Sequence, residues 1–152
     1  MKKDVTTLTD VQKKEFLAEH FRYEVDMLRY SADKLKQLEG KGGVEMNMVV
    51  ETFLFHARNL IEFFYNDSKK YPSDARAYDF FEHKEVWEQT RPPKSNEMDK
   101  VITRSGREMA HLTYLRISGT PPEKSWDCGQ LTNEILEAVS TFLGLVGVAF
   151  VV

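Results

Sequence analysis

Cysteine is almost absent: Cys128 is the single one in 152 residues. That excludes an intramolecular disulfide framework and a cysteine-rich zinc site, and makes a reducing, cytoplasmic setting the expected one. Neither sign of charge dominates, with 21 Lys and Arg against 24 Asp and Glu for a formal charge of −3. A chain so balanced is not a wholesale nucleic-acid coat or membrane-surface binder, although a local basic patch remains open to it. Long apolar runs are missing too. Phe142 to Val152 carries no charge over eleven residues, against the roughly 20 that a membrane helix needs. Its expected role is a buried helix end or a segment docked on the core, with an oligomer contact as the alternative. Met1 to Thr9 is polar and has no apolar core after Lys2 and Lys3, so no signal peptide is expected. No stretch alternates with period two for long enough to require a sheet, and no internal repeat or low-complexity segment occurs.

What is present is helical periodicity. Leu17, Phe21, Val25, Leu28, Ala32 and Leu35 recur at steps of three and four, which predicts a first helix over 11–38. Thr9 with Gln12 three residues on makes a capping box for it. Gly40, Gly42 and Gly43 then break the chain. A second helix is predicted over 44–66, with Val49, Phe53, Leu60 and Phe63 on one face and Val50, Leu54, Ala57, Ile61 and Phe64 on the next. So wide an apolar surface predicts neighbours on more than one side and the central place in the core. From Asp67 to Ser95 the pattern fails, and Pro72, Pro92 and Pro93 exclude a single long helix there. The segment 73–81 suits a short helix capped by Ser73, with Tyr78, Phe80 and Phe81 turned inward and Trp87 as a further anchor. A third helix is predicted over 96–116, capped by Asn96, with Met98, Val101, Ile102, Met109 and Leu112 inward. Gly106 in its middle suggests a close approach by another group. A fourth, over 129–143, keeps Leu131, Ile135, Ala138, Phe142 and Leu145 in helical spacing, with Gly144 and Gly147 as possible ends. The expected fold is one all-α domain over 1–152, a four-helix bundle with a long irregular crossover between helices two and three.

The third helix carries the most informative feature. Lys100, Arg104, Arg107, His111 and Tyr114 follow one another at steps of four, three, four and three, which places them within an arc of roughly 80° on one face. On such a face an Arg guanidinium can hold a phosphate and stabilise added charge, and a His can move a proton near neutral pH. Arg104 and His111 are therefore the candidate catalytic pair of a metal-free phosphodiester site. Lys100 and Arg107 add phosphate attraction, and Tyr114 a surface for stacking a base. The bland alternative is a solvated basic face.

An Arg followed by several residues and a His on a late helix of a small bundle, here Arg104 to His111, resembles the HEPN superfamily (higher eukaryotes and prokaryotes nucleotide-binding). In that family the residue after the Arg is polar, often Asn; here it is Ser105. The resemblance covers the bundle from Phe21 to about Leu145. It implies a homodimer in which two such motifs meet in a cleft, with metal-independent RNA cleavage or nucleotide binding as the activity. The segments LFHARNLIEFF and AHLTYLR also resemble those of uncharacterised bacterial proteins of similar size.

Arg58 and His56 sit inside the apolar pattern of the second helix and are candidates to orient the His111 site or touch substrate. Arg58 and Glu62, at i and i+4, alternatively form an ion pair. His20, His56, His83 and His111 are spread one to a segment, without HxxxH or HExxH spacing, so no metal is expected. A metal-binding bundle of the DinB-like kind, which the chain resembles in size and helix count, is the alternative. No Gly-rich phosphate loop and no Gly-x-Ser-x-Gly elbow occurs, and no cofactor is implied. Cys128 beside Asp127 is not set up as a thiolate. The expected partners are a second copy and RNA or a nucleotide, with no membrane. A non-catalytic oligomeric interaction module is the competing function.

Overall fold

The computed structural model describes residues 8–67, 71–106, 108 and 125–148. Among these the fold is all-α, with no strand. The first helix opens as α1 (Asp10–Phe16) on the Thr9–Gln12 capping box, in which Thr9 N donates to Gln12 Oε1 and Gln12 N to Thr9 Oγ1. It then widens into a π-helical turn, Leu17–Phe21, and continues as α2 (Arg22–Gln37). The sequence pattern did not reveal that turn, yet it contains its cause. Leu17, Phe21 and Val25 are spaced by two steps of four, which overrun a 3.6-residue period; the wider turn absorbs the drift and keeps all three buried.

A turn with Gly40, Gly42 and Gly43 at positive φ leads into α3 (Gly43–Tyr65). This is the central helix. It packs against α2, against α5 (Asn96–Ser105) and against α6 (Cys128–Val146), and α6 also meets α2 and α5. Its burial is confined to one part. From Phe53 onward most side chains are enclosed, whereas none is buried between Gly43 and Thr52.

The crossover has its own packing. Only Ala77–Phe80 is helical within 73–81, as one 3-10 turn, and Arg76 rather than Ser73 stands at its N-cap. Tyr78 is buried while Phe80 and Phe81 are half-buried. Trp87 is fully enclosed on a separate short helix, α4 (Glu85–Thr90). Ser95, one residue before the expected Asn96, caps α5, accepting from Met98 N at 3.2 Å. The remainder of the predicted third helix, Gly106 and Glu108 excepted, lies outside the described residues, and Met109 and Leu112 with it. Asp127 caps α6, which passes through Gly144 and ends at Gly147, whose φ of 71° lies in the left-handed region. Phe142 and Leu143, the start of the uncharged C-terminal run, are buried; residues 149–152 lie outside the described ones.

Phe142 is the hub of the core. The rings of Phe21, Phe63, Phe64, Phe80, Phe81 and Trp87 all stand with centroids 5.3–6.0 Å from its own. Most meet it at steep interplanar angles, the favourable edge-to-face arrangement. Beside this cluster, the end of α3 is closed by polar groups from the crossover. Trp87 Nε1 donates to Phe64 O at 2.8 Å, and Arg91 Nη1 donates to Phe64 O, Asp67 Oδ1 and Tyr78 Oη. Tyr78 in turn donates to Asp67, and Tyr65 to Pro92 O at 2.9 Å. An α-helix leaves its last carbonyls without partners; here the crossover supplies some.

Two predictions follow from these contacts. Phe142→Ala should destabilise the protein by about 3–5 kcal/mol, and Phe142→Leu by clearly less, because the alanine leaves a cavity among six rings. Denaturant unfolding followed by Trp87 fluorescence measures both. The second concerns alkaline pH. Burial pushes the Tyr65 hydroxyl up to about 12. Burial, and then the hydrogen bond donated to Asp67, push Tyr78 up to about 12 as well. A group whose pKa rises on folding contributes stability below its ordinary value of 10.0 and loses it as pH rises through about 12. Absorbance titration should therefore show two phenols with midpoints near 12, and one in Tyr78→Phe. Asp67 has the opposite sign: bonds from Arg91 and Tyr78 hold its carboxyl below 3.8, so its contribution is lost only on strong acidification.

Candidate functional site

The stripe of the third helix is described only at its first two members. Lys100 is exposed, and its Nζ pairs with Glu97 Oε1 at 2.6 Å. Arg104 is buried. Its Nε and Nη2 donate to the two carboxylate oxygens of Glu108, at 2.7 and 3.2 Å, and its Nη1 donates to Ser125 O at 3.2 Å. The guanidinium also lies over the Trp126 ring, 3.9 Å from its centroid. Bidentate pairing and planar stacking are the two geometries that Arg makes best. The stack and the bond to Ser125 O tie α5 to the segment that enters α6. Arg107, His111 and Tyr114 lie outside the described residues, so the proposed Arg104–His111 geometry is not on view.

The basic face carries its own acids. Glu97 precedes Lys100 by three residues and Glu108 follows Arg104 by four. Both are neighbour spacings on a helix, so the pairing was legible in the sequence. Trp126 and Ser125 were not, because a chain return brings them in.

Helix α3 meets α5 through Arg58. Its Nε donates to Glu62 Oε1 at 3.1 Å, the expected i, i+4 pair, and its Nη1 reaches across to Ser105 Oγ at 2.8 Å. The same nitrogen passes 3.7 Å from where a Cβ on Gly106 would stand, an ordinary contact distance. Ser105, the residue after Arg104, is buried and serves as the acceptor for Arg58. Beside this seam runs a groove of about 540 Å³ whose lining includes Arg58, Glu62, Tyr65, Tyr71, Lys94 and Ile102. Its cations are accompanied by acids, Arg58 by Glu62 and Lys94 by Asp99 at 3.0 Å.

His56 lies on the other flank of α3. It is buried, and its Nδ1–H donates to Glu24 Oε2 on α2 at 2.7 Å; Asn59 Nδ2 donates to the same oxygen at 3.2 Å. The Tyr23 and Phe55 rings stand edge-on to the imidazole at 5.6 and 5.2 Å. This arrangement joins α2 to α3 and fixes the orientation of the imidazole. Arg58 and His56 were expected at one site; they serve two different helix contacts. The Glu24–His56 pairing had no sequence signal, since its partners are 32 residues apart on different helices.

His20 and His83 are exposed, and among the described residues no group of three or more His, Cys, Asp or Glu side chains is placed to hold a metal ion. Burial, and then the charge of Asp127, push the Cys128 thiol up to about 11, which leaves it protonated at neutral pH. No described helix is long and apolar enough to cross a membrane. No family model, no curated protein and no solved structure matches the chain.

A structural task for Arg104 has a direct consequence. Arg104→Lys keeps the charge but loses the bidentate bond and the stack. It should lower stability by about 1–3 kcal/mol, the range for hydrogen bonds to charged groups. Chemical denaturation checks it, and the emission of Trp126 should shift in the native state.

Proposed function

We propose that the chain is a HEPN-like four-helix bundle that works by association rather than by catalysis. The observation that carries this reading is the state of its cations and its surface. Lys100, Arg104 and Arg58 each hold a carboxylate of their own chain, and Arg104 is buried under Trp126. A phosphate arriving at Arg104 has to displace Glu108 from both of its oxygens' partners, so its charge is already spent. Meanwhile the outer face of the α2–α3 hairpin exposes large apolar side chains, a feature that marks interaction sites.

A second reading, metal-free handling of RNA or a nucleotide by Arg104 and His111, is favoured by one specific feature. Arg58 of α3 reaches the hydroxyl of Ser105, the residue after Arg104, and release of the Glu62 or Glu108 partner would free a guanidinium on α3 or on α5. Lys100, Arg107 and Tyr114 then provide phosphate and base contacts.

The two readings separate in one assay. A panel of labelled single-stranded RNAs is incubated at low salt, in a chelator, with wild type, Arg104→Ala, Arg107→Ala and His111→Ala, each checked by circular dichroism. The association reading expects no cleavage by any of them. Cleavage by the wild type that His111→Ala abolishes, with fold intact, rejects association as the main task and installs the nuclease. Binding without cleavage that weakens with salt and with Arg107→Ala makes the basic face a docking surface for RNA.

A further inference from the structure

Two cavities meet at the π-turn. One, of about 300 Å³, lies between α1 and the segment 73–80. The other, of about 260 Å³, lies between the π-turn and the second half of α3. Phe16, His20, Asp74 and Ala75 line both, so the two adjoin as one groove. A row of aromatic rings runs along it. The Phe16 ring stands 5.7 Å from that of Phe80, which lines the first cavity, and 6.3 Å from that of Phe63, which lines the second. Single π-helical turns are frequent at functional sites. This one carries Glu19 and His20 into the wall of the groove.

The charges of the groove have one sign. Glu15, Glu19 and Asp79 line the first cavity, Glu24 and Glu62 the second, and Asp74 both; among the described residues no Lys or Arg lines either. Asp79, Glu24 and Glu62 already hold partners, which are Arg76, His56 and Arg58. Glu15, Glu19 and Asp74 enter no ion pair or side-chain hydrogen bond among the described residues. Nor do the acids converge on a point, since among the described residues no group of three or more is placed to hold a metal ion. The complement of such a groove is a cation whose charges are spread along an apolar chain. The volume is at the lower end for small-molecule sites and suits a narrow aliphatic ligand better than a protein segment.

We propose that the groove binds an aliphatic diamine or polyamine, with one ammonium group at Glu15 and Glu19, another at Asp74, and the methylene chain along Phe16. A single exposed ion pair contributes little, so a lone ammonium group is not retained. Two on one chain act together, because the first contact holds the second group at a high effective concentration. The rings add to this in two ways. Methylenes leave water against them, and an ammonium group near an aromatic face is attracted by it. Asp74 also marks where the site ends. Beyond it lies the larger groove, where Arg58 and Lys94 enter the lining and repel the same ligand.

Isothermal titration calorimetry of the full chain at low salt tests it, with diaminobutane and spermidine as ligands. Saturable binding of one molecule per chain is expected, weakening as salt is added. Butylamine, which has one ammonium group, should bind at least about 10-fold more weakly than diaminobutane. Glu19→Gln and Asp74→Asn should each weaken diaminobutane by about 10-fold. Circular dichroism and the unfolding temperature should not change, since neither side chain is bonded to another described group. Asp33→Asn, exposed on α2 and outside the lining of the groove, should leave binding as it is. No saturable heat at millimolar ligand overturns the proposal. So does butylamine that binds as tightly as diaminobutane. Equal losses in Asp33→Asn and Asp74→Asn also overturn it, because they mark general attraction to an acidic chain. An oligolysine peptide that binds where the diamines do not overturns it too, and gives the groove to a protein partner. These outcomes are separate from the RNA assay, which reads Arg104, Arg107 and His111 and none of the groove residues.

Discussion

The ring of Phe142 is the contact on which the rest of the described structure depends. It is supplied by the last helix, yet six rings around it come from the π-turn, from α3, from the 3-10 turn, from the stretch before α4 and from α4 itself. A crossover with only a 3-10 turn and the short α4 has little hydrogen-bond ladder to order it. Phe80, Phe81 and Trp87 order this one by burying apolar surface on Phe142 and its neighbours, and dispersion between close-packed rings adds to that gain. The π-turn belongs to the same account, since it turns Phe21 into the cluster where a regular helix drifts away from it.

Burial so complete requires the nearby polar groups to be satisfied. The Phe64 carbonyl meets this requirement by accepting from both Trp87 and Arg91, and Asp67, Tyr78 and Arg91 satisfy one another. The raised phenol of Tyr78 and the lowered carboxyl of Asp67 are two consequences of one arrangement: a neutral donor and an ionised acceptor held beside a guanidinium. The aromatic hub and this polar closure act on the same stretch of chain from opposite sides, and the end of α3 lies between them.

At the other end of the molecule the balance changes. In the first half of α3 no side chain is fully buried, Met46, Val49 and Val50 pack part-buried against the core, and Lys34 with Glu45 and Glu24 with His56 add polar ties between α2 and α3. The seam with α5 is likewise tied by Arg58 on Ser105, and the approach to α6 by Arg104 on Ser125 and Trp126. Charges that a phosphate site needs free are paired with carboxylates three or four residues away, and large apolar side chains remain exposed on the hairpin.

Periodicity by itself determined the helices and their inward faces. Phe53, Leu60, Val101, Ile135 and Phe142 are buried where their spacing placed them, because a 3.6-residue period read along a chain is already a statement about one side of a cylinder. Capping was legible for the same local reason at Thr9, and missed by a single residue at Ser95, where two adjacent residues are both competent caps. Local spacing also contained the ion pairs of Arg58 with Glu62 and Arg104 with Glu108, although the basic stripe read without its acids suggested a more open face. Only the tertiary structure decided what crosses between helices: Glu24 beneath His56, Ser105 under Arg58, Trp126 over Arg104, and six rings converging on Phe142. Such contacts depend on the rotation and register of one helix against another, which no periodicity along a single helix encodes. The same limit hides the groove at the π-turn. Glu19, Asp74 and Phe80 are unrelated positions in the sequence, and become one wall only when the crossover folds back on the first helix.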